Sequence, residues 1–181
     1  MKGCMKGMCT WIFMIFSIGV FAQATPHVVD YGNSAVKFKI KNAGIGVDGK
    51  FTDYSATMQF DPKNLTGSHV ACKIKTTSIS TGINGRDNHL RKEEFFYVDK
   101  YPVISFSSTA IKAQGSGYAV YGKLTIKDVT KDVIIPTTIT KTGTTEVYEG
   151  NLTIDRLNYH VGEDSWVMSD EVMITIKITT K

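Results

Sequence analysis

From Val36 to the C-terminus the chain repeats one pattern, an apolar residue at every second position interrupted by short polar breaks. The clearest case is Val172, Ile174, Ile176 and Ile178, with Thr175 and Lys177 between them. A period of two puts alternate side chains on opposite faces of a strand, one dry and one wet. The same alternation runs through Val36, Phe38 and Ile40, with Lys37 and Lys39 between, and through Ala56, Met58 and Phe60. It returns at Val70, Cys72 and Ile74, at Ile104, Phe106 and Ser108, at Val120 to Ile126, and at Leu152 and Ile154. Breaks fall at Asp61-Pro62, at 82–85, at 114–117, at Asp128 and at Gly143. Gly115-Ser116-Gly117 and Thr142-Gly143-Thr144 read as hairpin turns.

Composition agrees where it bears on the choice of fold. From residue 23 onward there are 20 Thr, 15 Ile and 14 Val against 5 Leu and 8 Ala. Branching at Cβ suits a pleated surface and restricts side chains in a helix, so a helical bundle is excluded. Eight or nine antiparallel strands with one apolar face each make a barrel or a sandwich. One segment reads as helix, Asn84 to Phe96, with Asn84 as its cap. No linker or internal repeat divides 23–181, which reads as a single domain.

The first 22 residues belong to something else. Lys2 and Lys6 precede an apolar run from Met8 to Ala22, followed by small residues suited to cleavage. That is the layout of a secretory signal peptide. The run is about 15 residues, short of the roughly 20 that span a bilayer as a helix, so a retained anchor is the lesser alternative. A periplasmic or secreted protein is expected. Removing the leader lowers the net charge from +4 to +2 and takes away Cys4 and Cys9, leaving Cys72 alone. No internal disulfide can form, and no basic stripe for nucleic acid survives.

Gly44-Ile45-Gly46-Val47-Asp48-Gly49 spells the dinucleotide-binding fingerprint, but that motif needs a following helix, and Lys50 to Phe60 reads as strand. The glycines are expected in a hairpin connection. No nucleophile elbow, zinc-protease motif or Cys-x-x-Cys is present, and the histidines at 27, 69, 89 and 160 are scattered. His89 and Glu93 have metal-compatible helical spacing, yet a pair alone reads better as a solvated charged face. Neither cofactor nor metal is expected. Cys72 alternates with Val70 and Ile74, as a buried small hydrophobe does.

The centre of the chain carries the distinctive motifs. In order these are Ser78-Ile79-Ser80-Thr81, Arg86-Asp87-Asn88-His89-Leu90, Glu94-Phe95-Phe96, Tyr101-Pro102, Ile104 to Ser108, and Gly122 to Lys131. From about Val28 to the C-terminus the chain resembles the YceI-like family, bacterial lipocalin-like polyisoprenoid-binding proteins. It departs from the family pattern at Asn33-Ser34, at Asn42-Ala43-Gly44 and at Arg156 to Gly162. Those positions bear on contacts with a ligand head group more than on the fold.

The resemblance implies an all-β fold, an extended eight-stranded antiparallel β-barrel, with one short helix over about 84–96 near its mouth. It implies a non-catalytic protein that stores or carries a long-chain amphiphilic lipid, a polyisoprenoid, quinone or fatty-acyl type, in an apolar tunnel. Expected walls are Phe38, Phe51, Met58, Phe60, Ile79, Phe95, Phe96, Phe106, Leu124, Trp166 and Met168. Arg86, Asp87 and His89 are candidates for the head group, though hydrogen bonds and ion pairs that fix the helix over the mouth are the favoured reading for them. Partners would be the lipid and, through transient lipid exchange, a membrane; a homodimer stays open. Two other readings remain: an enzyme acting on such a lipid with Asp87 and His89 as acid and base, and a stress-induced interaction protein with a filled core.

Overall fold

The computed structural model describes residues 26–181, so the expected signal peptide over 1–22 lies outside the described residues. The fold is one antiparallel sheet of eleven strands, strongly curled into a half-barrel, with a short helix. In chain order the strands are β1 (Pro26–His27), β2 (Ala35–Asn42), β3 (Ile45–Phe51), β4 (Tyr54–Gln59), β5 (His69–Lys75) and β6 (Ile79–Ser80). After helix α1 (Asn84–Leu90) come β7 (Val103–Gln114), β8 (Gly117–Ile126), β9 (Val129–Thr142), β10 (Thr145–Asp155) and β11 (Met168–Thr180). Their spatial order is β1-β4-β5-β7-β8-β9-β10-β11-β2-β3-β6.

Eleven strands replace the expected eight because two are two-residue pairings, β1 on β4 and β6 on β3, too short to show a period. The order also has two ends rather than running round a closed ladder. At one pole the N-terminal segment joins β4 to β11. Pro26–His27 pairs with β4, Val29 bridges Thr180 of β11, and the Tyr31 hydroxyl accepts from the Ala56 amide.

Three turns are set by the local sequence. The registers Gln114↔Gly117 and Thr142↔Thr145 leave two-residue loops at Gly115-Ser116 and Gly143-Thr144, as the sequence indicates. The third joins β2 to β3, where Asn42↔Ile45 leaves Ala43 and Gly44, both at positive φ. Two-residue hairpins favour that conformation, and glycine meets it without strain. Gly44 alone of the fingerprint glycines is therefore in the turn. Gly46 and Gly49 are in β3, which leads to β4 and not to a helix.

Curling has its own cause. A Cβ on Gly49 would fall 2.2 Å from the ring of Phe38, and one on Gly122 would fall 2.5 Å from the ring of Phe106. Each inward ring lies over a glycine on the neighbouring strand, so the sheet bends where a side chain is missing. Register shifts between Ser108 and Ala110 and between Met168 and Val172 add to the bend.

Helix α1 stops at Leu90, six residues short of the expected Phe96. Its cap is Ile83, without a side-chain bond, and Asn84 is the first helical residue. Beyond Leu90 the amides of Phe96 and Val98 turn back to the carbonyls of Leu90 and Arg91, which swings Phe95 and Phe96 against the sheet. Glu93 and Glu94 would also sit badly at a helix C-terminus, whose exposed carbonyls repel acids.

Two clusters fill the interior. One is built on Val36, Phe51, Ile79, Ile104, Leu124 and Tyr159, with Phe38, Phe95 and Phe96 packed on it. The other is built on Met58, Phe60, Ile111, Val120, Tyr148 and Ile178.

Candidate functional site

Inward side chains of both clusters wall a cavity of about 250 Å³ with few polar groups. On β11 the wall runs from Met168 to Ile178, on the order of 30 Å of strand. Of the residues expected there, Phe38, Phe51, Met58, Phe60, Ile79, Phe95, Phe96, Phe106, Leu124 and Met168 all line it, and so does Arg86. Trp166, Asp87 and His89 do not. Sequence reading missed Tyr118, Ile135, Tyr148, Tyr159 and Arg156, which also face the space. Cys72 is in the wall as a free thiol, and burial pushes it up to about 11, so it stays protonated.

One pole of the cavity is packed tight. Phe60 meets the rings of Tyr118 and Tyr148 edge to face at 4.9 and 5.8 Å, and all the cluster centres there are buried. Around Glu146 the polar atoms at this pole are matched. The Tyr148 hydroxyl donates to Glu146 Oε2 at 2.6 Å, Lys141 Nζ donates to Oε1 at 2.7 Å, and His27 Nδ1 stands 3.2 Å from Oε2. Burial pushes the Glu146 carboxyl up, but the bonds from Lys141 and Tyr148 and the charge of His27 outweigh it, so the group is held below its ordinary value. Burial and the neighbouring carboxylate push Tyr148 well up.

The other pole is loosely covered. Along β11, Val172 and Ile174 point inward yet are only half-buried, whereas Ile178 at the tight pole is 4% exposed. Ile40, Val47, Phe95, Phe96 and Met168 are likewise half-buried cavity walls, and Asn42 at the rim is exposed. The polar wall groups Asn42, Thr81 and Arg86 belong to this half.

Arg86 and Asp87 share one partner. The Thr81 amide donates to Asp87 Oδ1 at 2.8 Å and the Thr81 hydroxyl donates to the same oxygen. Arg86 Nε donates to Thr81 Oγ1 at 2.7 Å and Nη2 to the Thr81 carbonyl at 2.9 Å. Arg91 adds bonds to the carbonyls of Thr77 and Ile79. These contacts fasten α1 to β6. Asp87, 6% exposed, is consumed by them and faces Thr81 rather than the cavity. Arg86 keeps Nη1 with no bond among the described residues and still lines the wall. His89 is out on the surface, its side chain 56% exposed, with Nε2 3.2 Å from Glu94 Oε1 and its ring against Phe95. Glu94, not the helical neighbour Glu93, is its partner. Asp87 and His89 thus point to different places, which disfavours an acid–base pair acting in the cavity.

Arg156 braces the same half. It is 3% exposed and donates to the carbonyls of Ser169, Val161, Glu163 and Met168 and to Asp170 Oδ1. A planar fork of five donors suits such a ring of acceptors, and lysine could not replace it. The segment it gathers, between Tyr159 and β11, also reaches α1's extension through the Gly162 amide on the Glu94 carbonyl at 2.8 Å. Trp166 is on this segment and fully exposed, a correction to its expected place in the wall. Residues 163–167 are not strand, so the alternation from Trp166 to Met168 has no pleat to act on.

Comparison with known proteins follows this geometry. A UPF0312 protein of Yersinia enterocolitica is 31% identical over 173 residues, covering 91% of this chain and 90% of the relative. The crystal structure of BcnA from Burkholderia cenocepacia superposes with a TM-score of 0.81 at 30% identity, covering 84% of this chain and 99% of that one. A polyisoprenoid-binding domain from Saccharophagus degradans, implicated in plant cell wall breakdown, shares the fold with a TM-score of 0.67 at 14% identity, covering 86% and 97%. The YceI-like domain model matches residues 27–180, from the pairing on β4 to the last residue of β11. The chain therefore belongs to the YceI-like family.

Proposed function

We propose that this protein is a non-catalytic binder of a long-chain amphiphilic lipid, of the polyisoprenoid, isoprenoid quinone or fatty-acyl type, which it stores or carries outside the cytoplasm. One observation carries the reading: inward positions of β11, β2 and β3 hold large aliphatic side chains that the folded chain leaves half-covered. A finished core covers such residues, and an apolar chain laid along them would complete the burial. Each CH₂ so buried contributes about 0.8 kcal/mol, so a long tail is retained without a covalent bond even after its ordering cost. The curled sheet then works as an extended barrel whose tail end is the Phe60–Tyr148 pole. Arg86, with Nη1 unspent, is the head-group contact we favour. The Saccharophagus degradans domain, of the same fold, is described as polyisoprenoid-binding, which supports the ligand class.

Native mass spectrometry of protein purified without added lipid tests this. The expected spectrum carries a mass excess that organic extraction removes and identifies as a long-chain lipid. A bare mass, together with refusal of added polyprenol, quinone and fatty acid, would show that the cavity is only core.

A further inference from the structure

The largest exposed apolar side chains at the loosely covered pole are gathered at its rim. Trp166 is fully exposed, Val167 is 58% exposed and Ile45 is 71% exposed. They are on two neighbouring pieces of chain. The Ala43 amide donates to the Val167 carbonyl at 2.6 Å, and Asn42 pairs with Met168 on one side and with Ile45 on the other. The tip of the β2–β3 hairpin and the loop into β11 thus form one lip. Its immediate neighbours Asn42, Val47 and Met168 are cavity wall, so the lip and the opening are continuous. No folding reason accounts for an indole in full contact with water, and nothing within the described chain covers it.

We propose that Trp166, Val167 and Ile45 form a docking lip that rests on a lipid bilayer and brings the cavity opening to the membrane surface. This rests on the lipid-binding reading above and says where the lipid passes. Tryptophan favours the bilayer interface, where its ring meets apolar chains and its N–H stays wet, and isoleucine and valine add apolar depth. Charge selects the kind of surface. Glu163 and Asp164 are exposed on the same loop and Glu94 is bonded beside it, against Lys41 on the hairpin. An acidic surround is repelled by anionic headgroups, so the fitting surface is zwitterionic. With only three side chains inserted the contact is weak and reversible, as an exchange step requires.

The test uses Trp166 as its own reporter. Of the two tryptophans Trp11 is in the expected leader, so protein prepared without residues 1–22 carries Trp166 alone. On titration with vesicles of phosphatidylcholine and phosphatidylethanolamine, its emission is expected to shift to the blue and to be quenched by brominated phosphatidylcholine. The substitutions I45S and V167S together, beside the wall but not part of it, are expected to weaken this roughly tenfold or more. Added anionic lipid is expected to give no gain. Emission that stays that of a water-exposed indole throughout overturns the proposal, as does undiminished binding by I45S/V167S. So does binding only to vesicles that carry membrane proteins, which would make the lip a protein contact. Native mass spectrometry of the same variant separates the two readings. Retained lipid with lost docking supports both. Docking that depends on the lip in a protein that refuses lipid keeps the lip and removes the carrier.

Discussion

The two poles of the cavity are made from the same kinds of residue and reach opposite results. At one pole Phe60, Tyr118, Tyr148 and Ile178 interlock, and the Tyr148 hydroxyl is answered by Glu146, itself held by Lys141 and His27. At the other, a buried cluster around Ile79 and Tyr159 underlies Phe38, Phe95 and Phe96, which with Val172 and Ile174 face inward only half-buried, and polar fastenings brace it, Arg156 to five acceptors and Arg86 with Asp87 to Thr81. The contrast teaches where apolar side chains are used for stability and where they are held ready for something else. A dry aromatic cluster closes a cavity; a braced but uncovered one keeps it enterable.

Substitutions can break that contrast. The largest effect is expected at the loose pole, from Arg156→Ala. Losing a buried fork that satisfies four carbonyls and a carboxylate should cost about 3–5 kcal/mol in denaturant unfolding, and Arg156→Lys should restore little of it. Next comes the same change made at both poles. Phe60→Ala empties a packed site and should cost about 3 kcal/mol or more in the lipid-free protein. Phe95→Ala removes a ring already half in the open and should cost about 1 kcal/mol, while weakening lipid retention more than Phe60→Ala weakens it. Equal costs from the two would erase the distinction.

The smallest effect is one of pH at the tight pole. Because Glu146 is held below its ordinary value near 4.5, the stability it contributes is full above that value and is lost as pH falls beneath it. Acid titration of the unfolding midpoint should therefore fall less steeply below about pH 4.5 in Glu146→Gln than in the unaltered protein. Identical acid limbs would mean that the Glu146 contacts add nothing to closing this pole.

How much of this was legible in the sequence depended on whether one periodicity governed a segment. β11 and β2 could be read outright, because one face is sheet interior along the whole strand and alternation records it. β9 could not. Its first half pairs only with β8 and its second half, from Thr138, only with β10, Thr137 alone joining both, and Pro136 falls where there is no pairing to β10. Ten of the eleven apolar residues expected in the wall are there; those on the long strands follow from the period, whereas Phe95 and Phe96 are there because the chain beyond α1 folds back. Trp166 failed because parity has no meaning outside a strand. Asp87 and His89 are not wall residues and make the bonds that the helix-fixing reading expects, but helix spacing alone did not say which side of the helix the sheet covers. Arg156 carried only the signal of a charge at the end of an apolar strand, and its ring of carbonyls exists only once the chain between Tyr159 and β11 has folded back.

The central claim, that the half-covered walls wait for an apolar chain, is tested most directly by affinity against chain length. Delipidated protein titrated with fatty acids from about eight to about eighteen carbons should bind more tightly with each added CH₂, by up to ~0.8 kcal/mol, levelling off when the tail reaches the Phe60–Tyr148 pole. Affinity that does not change with chain length, or no binding across the series, would contradict it.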